Sequence, residues 1–204
     1  MKIIGFVGMP GSGKSEASEV ARSMGLKVVV MGDIIRREAA RLGLQGTDQD
    51  LGSVGNALRS KEGPAAIARR SLEEAMRSAG PLAVIDGIRS KAEVDYFRAH
   101  SQGFHLVEVW APPEARLRRI AARRRSDDTA SEPQGPEAMG ISETNCYALK
   151  ATAEALRKRE GREVGWGMKE AIDEADLRIF NLGSIEDLRK EVRSTLEWCL
   201  KNKS

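Results

Sequence analysis

The 204-residue chain reads as an α/β fold, a parallel sheet covered by helices on both faces. Three observations predict this. Short apolar runs rich in β-branched residues alternate with longer segments of helical periodicity, the order that repeated strand–helix crossovers produce. The runs are nearly continuous in their apolar character, as strands buried on both faces are. The first run leads directly into Gly8-Met9-Pro10-Gly11-Ser12-Gly13-Lys14-Ser15, a glycine-rich turn that opens a helix.

Taken in order, residues 2–7 read as a buried strand, and Glu16 to Ser23 as the helix after the turn. Val28-Val29-Val30-Met31 is a second strand ending at Gly32-Asp33. Ile34 to Ala40 is helical and stops at Gly43. Thr47-Asp48-Gln49-Asp50 has capping-box form and starts a helix with Leu51, Val54 and Leu58 at helical spacing. Gly63-Pro64 breaks it, and Ala65 to Ser78 is helical again. This helical excursion of about 45 residues is longer than a simple crossover needs, so it can form a separate substrate-binding lobe. Pro81 to Asp86 is the third strand, Ser90 to His100 a helix, and Phe104 to Trp110 the fourth strand. Pro112-Pro113-Glu114 opens an arginine-rich helix, proline being tolerated in a first turn. From Asp127 to Asn145 the apolar periodicity vanishes, which reads as a loop or lid. Helix returns from Tyr147 to about Glu160 and from Met168 to Ala175, followed by a fifth strand, Leu177 to Asn181. A second capping box, Ser184-Ile185-Glu186-Asp187, opens the last helix.

The turn at 8–15 carries the clearest chemistry. Its glycines let successive backbone N–H groups point inward, and the following helix adds its positive end, so the stretch suits a phosphate chain. Lys14 can reach the β- and γ-phosphates, and the Ser15 hydroxyl can ligate Mg²⁺. Asp86, an acid closing an apolar strand, is the expected second ligand to that metal. A parallel sheet binds its ligand at the carboxyl ends of its strands, and the loop, Gly32-Asp33 and Asp86 all fall there.

Composition narrows the class. A net charge of +3 is too small for a globally basic nucleic-acid binder, and aromatic residues at 4% leave few stacking platforms. The charge is nonetheless uneven: Arg116, Arg118, Arg119, Arg123, Arg124 and Arg125 crowd one short stretch. Cys146 and Cys199 lack metal spacing and suit a reducing compartment. No apolar stretch approaches the roughly 18 residues of a membrane helix, and the N-terminal run is too short for a signal peptide, so a cytoplasmic protein is expected. No guanine-reading Asn-Lys-x-Asp segment is present.

Beyond the loop, a resemblance to the adenylate kinases spans nearly the whole chain, specifically to the adenylate-kinase-like proteins of archaea. Gly32-Asp33-Ile34-Ile35-Arg36 resembles the segment whose arginine grips the acceptor monophosphate. Asp86-Gly87-Ile88-Arg89 is similar to that family's Asp-Gly-x-Pro-Arg motif without its proline. Arg119-Ile120-Ala121-Ala122-Arg123 resembles the start of its lid, and Arg159 and Arg162 stand where the second lid arm supplies two more arginines. Asn181-Leu182-Gly183-Ser184 is similar to the loop that lies along adenine.

The resemblance implies a three-layer P-loop kinase fold with a five-stranded parallel sheet in the order 2-3-1-4-5. It implies one domain, with core segments 1–33, 80–120 and 165–204, an acceptor-binding insertion at 34–79 and a lid at 121–164. It implies ATP and Mg²⁺ as cofactors and a small nucleotide as acceptor. Lys14, Arg119, Arg123, Arg159 and Arg162 would surround the transferred phosphoryl group, and Asp33, Arg36, Arg89 and Glu93 the acceptor. Residues 8–15, Arg119, Asn181 and Gly183 would hold ATP. Arginine suits these positions because it stays charged and binds phosphate in bidentate fashion. Arg116, Arg118, Arg124 and Arg125 read as solvated or salt-bridged. The lid lacks the four-cysteine metal site of longer adenylate kinases. Glu93 also replaces a glutamine that reads adenine, and a carboxylate, which only accepts, suits the amino edge of guanine or cytosine better.

Two other functions stay open. A hydroxyl acceptor would need a base, and Asp33 could supply it, as in dephospho-coenzyme-A kinases. A regulatory or RNA-associated NTPase would use the loop and the arginine patch without a small acceptor.

Overall fold

The computed structural model describes residues 1–77, 80–123 and 141–202, with Arg123 and residues 141–149 described in their backbone alone. The chain builds a five-stranded, all-parallel sheet in the order β2-β3-β1-β4-β5. The strands are β1 (Lys2–Val7), β2 (Lys27–Val30), β3 (Leu82–Ile88), β4 (Gly103–Trp110) and β5 (Leu177–Phe180). The helices are α1 (Lys14–Ser23), α2 (Met31–Arg41), α3 (Asp48–Glu62), α4 (Ala66–Met76), α5 (Lys91–His100), α6 (Pro113–Arg123), α7 (Ile141–Gly165), α8 (Met168–Asp173) and α9 (Ile185–Lys201).

The apolar strands feed two cores because successive side chains leave opposite faces of the sheet. Ile3 and Val7 of β1, with Ala83 and Ile85 of β3, pack beneath residues from α2, α3, α4, α5 and α8. Ile4, Phe6 and Val84 face the other way, onto Ala17 and Ala21 of α1 and Leu188, Val192 and Leu196 of α9. This is the expected three-layer fold with the expected strand order. Among the described residues no helix is long and apolar enough to cross a membrane.

Four boundaries differ from the sequence expectation. Helix α1 begins inside the loop motif, at Lys14, with Gly13 as its N-cap. Strand β2 ends at Val30, so Gly32 and Asp33 lie in the first turn of α2 and not at a strand end. Strand β3 continues past Asp86 to Ile88, because Gly87 adopts φ 95° and creates the irregularity between Phe6 and Val7 in the pairing with β1. Residues 141–145, expected in the irregular segment, begin the 25-residue helix α7. That helix has no sustained apolar stripe to announce it. The rest of that segment, 127–140, lies outside the described residues.

Both capping boxes form. Thr47 accepts from the Asp50 backbone N–H at 3.2 Å while the Asp50 carboxylate accepts from the Thr47 N–H at 3.1 Å, and Ser184 with Asp187 does the same for α9. The first box fixes the start of α3, whose opening turns carry Asp48, Leu51 and Gly52 toward the site described below. Thr47→Ala should lower stability by about 1 kcal/mol, and Thr47→Ser, which keeps the acceptor oxygen, should restore most of it. Denaturant unfolding of the two variants checks this.

Candidate active site

The site grows from the carboxyl end of the sheet. Gly8, where β1 stops, has φ 146°, and a Cβ there would lie 2.3 Å from the carbonyl oxygen of Val109. Only glycine lets the chain turn so tightly against β4. The loop then curls into α1, and Lys14, the first helical residue, folds back over it. Its Nζ donates to the carbonyl oxygens of Gly8 at 2.5 Å and Met9 at 3.1 Å. Desolvation pushes the amine down to about 8, against the opposing pull of Asp86 and Glu163. Among the described residues the buried Ser12 Oγ has no hydrogen-bond partner, leaving a donor for an anion's oxygen.

Loop residues 8 and 10–15 line a cleft of about 150 Å³ together with Val30, Gly32, Arg36, Asp86, Gly87, Arg89, Arg159, Glu163 and Met168. A smaller hollow of about 20 Å³ adjoins it under the helical excursion, lined by Ile35, Asp48, Leu51, Gly52, Arg162 and Trp166. Gly32, Arg36, Arg89 and Arg159 line both, so these arginines stand on the shared boundary.

Several expected residues therefore meet: Lys14, Ser15, Arg36, Asp86, Arg89 and Arg159 share one cleft. Ser15 and Asp86 offer hard oxygen donors on the same wall as Lys14, a donor set that fits Mg²⁺ held jointly with phosphate oxygens. Asp86 is buried and is oriented by Ser18, whose hydroxyl donates to Oδ2 at 2.9 Å.

Other expected residues lie elsewhere. Glu93 does not open onto either pocket. It is fully buried, one oxygen taking Arg59 Nη2 at 2.8 Å and the other the Arg89 backbone N–H at 2.8 Å. With both oxygens engaged it positions Arg89 and has no free edge for a base. Asp33 lines neither pocket and pairs with Arg36 at 2.7 Å. Arg119 lies outside the cleft lining, donating to Asn181 Oδ1 at 3.0 Å. Asn181 is itself buried and donates to the Ser12 carbonyl at 2.8 Å, so this pair buttresses the loop from behind. Gly183 is exposed in the turn before α9. Arg162 reaches only the smaller pocket, where it pairs with Asp48 at 2.7 Å. The side chain of Arg123 lies outside the described residues.

Three contributors were missed from the sequence. Glu163, hidden in a run of Lys, Arg and Glu on α7, lines the cleft with only 2% of its side chain exposed, and it pairs with Arg89 at 3.0 Å and Arg159 at 3.2 Å. Arg116 forms a salt bridge, one of its two expected states, with Glu160; its burial and its donation to the Pro10 carbonyl at 3.2 Å were not expected. Trp166 anchors the smaller pocket. Its Nε1–H donates to Asn56 at 2.7 Å, and the guanidinium carbons of Arg59 and Arg162 lie 4.4 and 5.6 Å from its ring centroid.

Comparison with known proteins agrees with this fold. A family model described as an AAA domain matches residues 7–134. A UPF0200 protein of Methanothrix thermoacetophila is 53% identical over 197 residues, covering 97% of each chain. TT1252 from Thermus thermophilus has a similar structure, with a TM-score of 0.59 at 22% identity and 96% of each chain covered. Shikimate kinase from Acinetobacter baumannii in complex with shikimate gives a TM-score of 0.52 at 18% identity, over 98% of this chain and 94% of that one. At such identities the two structures show a shared fold, that of P-loop kinases.

Lys14 provides a titration test. An anion binds the protonated amine, which the free protein already holds below about pH 8. Above that pH, binding must draw a proton from solution, so nucleotide affinity should fall as pH rises, approaching about tenfold per pH unit. Lys14→Arg, whose charge does not titrate in this range, should flatten the profile in a nucleotide-binding titration.

Proposed function

The chain belongs to the UPF0200 family, and from that premise we propose that it is a kinase transferring the γ-phosphate of ATP to a nucleoside monophosphate or similar small nucleotide. The observation that carries this reading is the pair of adjoining pockets. One is walled by the phosphate loop, the other by the helical excursion, and Arg36, Arg89 and Arg159 stand between them. Transfer between two phosphates needs positioning and positive charge at the point of contact more than covalent help. Three arginines on that boundary supply both.

Each residue then has a role set by its place. The loop N–H groups and Lys14 hold the donor phosphates, and Ser15 and Asp86 hold Mg²⁺, which supplies charge neutralisation when bound. Arg89, fixed through its backbone by Glu93, and Arg36, braced by Asp33, receive the acceptor's phosphate. Glu93 has no part in reading the base, so the pocket floor formed by Leu51, Gly52 and Trp166 sets which base enters.

A hydroxyl acceptor is the second reading, favoured by the fold shared with shikimate kinase. It needs a carboxylate free to take a proton. Asp33 is tied to Arg36 and Glu163 to two arginines, which favours a phosphate acceptor.

ADP formation from Mg-ATP should be measured against a panel of nucleoside monophosphates, dephospho-coenzyme A, shikimate and RNA. Stimulation by one monophosphate is expected. Lys14→Ala should lose about 100-fold or more in kcat. Arg89→Ala should raise the acceptor's KM by about 10- to 100-fold while the KM for ATP moves little. Stimulation by a hydroxyl compound alone, or acceptor-independent hydrolysis enhanced by RNA, would displace the proposal.

A further inference from the structure

Glu163 is a carboxylate that pairs with two of the arginines on the boundary between the two pockets, Arg89 and Arg159. Its Oε1 lies 3.0 Å from Arg89 Nη1 and 3.2 Å from Arg159 Nε, at 2% exposure, while the same carboxylate lines the donor cleft. It thus makes the contacts that an incoming phosphate oxygen would make. We propose that Glu163 is a built-in anion standing in for the acceptor's phosphate, a positioning residue that holds Arg89 and Arg159 ready and yields them when phosphate arrives. This rests on the reading of those arginines as the acceptor-phosphate site.

Two features separate this from an ordinary structural ion pair. Among the described residues lining the cleft, Lys14, Arg36, Arg89 and Arg159 stand with Asp86 and Glu163, while Asp33 holds Arg36 from outside the lining at 2.7 Å. A phosphate placed on Arg89 and Arg159 would stand against Glu163. Like charges so close in a desolvated site repel strongly, so the two anions exclude each other. The helix that carries Glu163 is also locally weak. Gly161 lies within α7, where a Cβ would meet nothing within 4 Å, so no steric demand explains a residue that costs a helix interior about 1 kcal/mol. A turn weakened there can release the carboxylate without disturbing the sheet.

The stand-in sets a threshold. A ligand gains Arg89 and Arg159 only by displacing a carboxylate, which a phosphate does and a hydroxyl does not. Glu163 is therefore also a specificity-determining residue for the acceptor.

Inorganic phosphate, without nucleotide or Mg²⁺, tests the idea by calorimetry and thermal melting. Glu163→Gln should bind phosphate about tenfold more tightly than the wild type, a gain of about 1.4 kcal/mol. Its melting temperature in chloride should fall, and phosphate should restore it by more than phosphate raises the wild type. Glu163→Asp, which keeps the charge, should bind phosphate as the wild type does. The gain should vanish in Glu163→Gln/Arg89→Ala, placing the ion on the arginines and not the loop. Equal or weaker phosphate binding by Glu163→Gln, an equal gain in Glu163→Asp, or a gain that survives loss of Arg89 would each overturn the proposal. If Glu163→Gln fails to fold in chloride, recovery on refolding in phosphate supports it and failure in both salts overturns it. A kinase panel with no active acceptor would remove the proposed function and leave this phosphate result standing.

Discussion

The pairing of the Glu163 carboxylate with the guanidinium groups of Arg89 and Arg159 is the interaction on which the cleft depends. Isolated cations gathered in a desolvated pocket repel one another, and removing one partner of a buried ion pair costs about 3–5 kcal/mol. With Glu163 in place, burial still lowers Lys14, yet Arg89 and Arg159 hold fixed positions between two pockets. Glu163 itself stays well below the ordinary carboxylate range because Arg89, Arg159 and Lys14 outweigh the cost of its burial.

The same pairing joins parts of the chain far apart in sequence. Arg89 follows β3 in the core, whereas Arg159 and Glu163 belong to α7. Next to them Arg162 reaches Asp48 at the start of α3, and Trp166 reaches Asn56 about two turns further along that helix. The end of α7 thus packs on the helical excursion. A second network runs from Trp166 through Arg59 to Glu93 and the backbone of Arg89. Any ligand that rearranges Arg89 is therefore felt at the excursion and at α7 together. The loop has its own support, in which Asn181 and Arg119 hold Ser12 from behind and Arg116 holds Pro10.

The legible parts of the sequence were those whose signals are local. A glycine-rich turn between strand and helix, two capping boxes and five apolar runs each depend on a few neighbouring residues. They point to Lys14, Ser15 and Asp86, which line one cleft. Arg36 and Arg89 also reached the cleft, as the order of their motifs implied. Arginine roles on α6 and α7 were poorly legible, because a charged helix face looks alike whether it meets water, a carboxylate or a ligand. Arg119 turned to the loop's outer side, and Glu163 was indistinguishable from its charged neighbours. Glu93 lay at a motif position that suggested base reading, yet its partner Arg59 comes from α3 and no local pattern links them.

By itself the sequence determined the layered α/β fold, the strand order implied by its resemblance and the anion-binding loop. Backbone conformation and apolar periodicity encode these within short windows. Only the tertiary structure decided which charges face the cleft and which are neutralised against each other. That choice depends on through-space distances of a few ångströms between residues such as Arg89 and Glu163, which packing sets and sequence spacing does not.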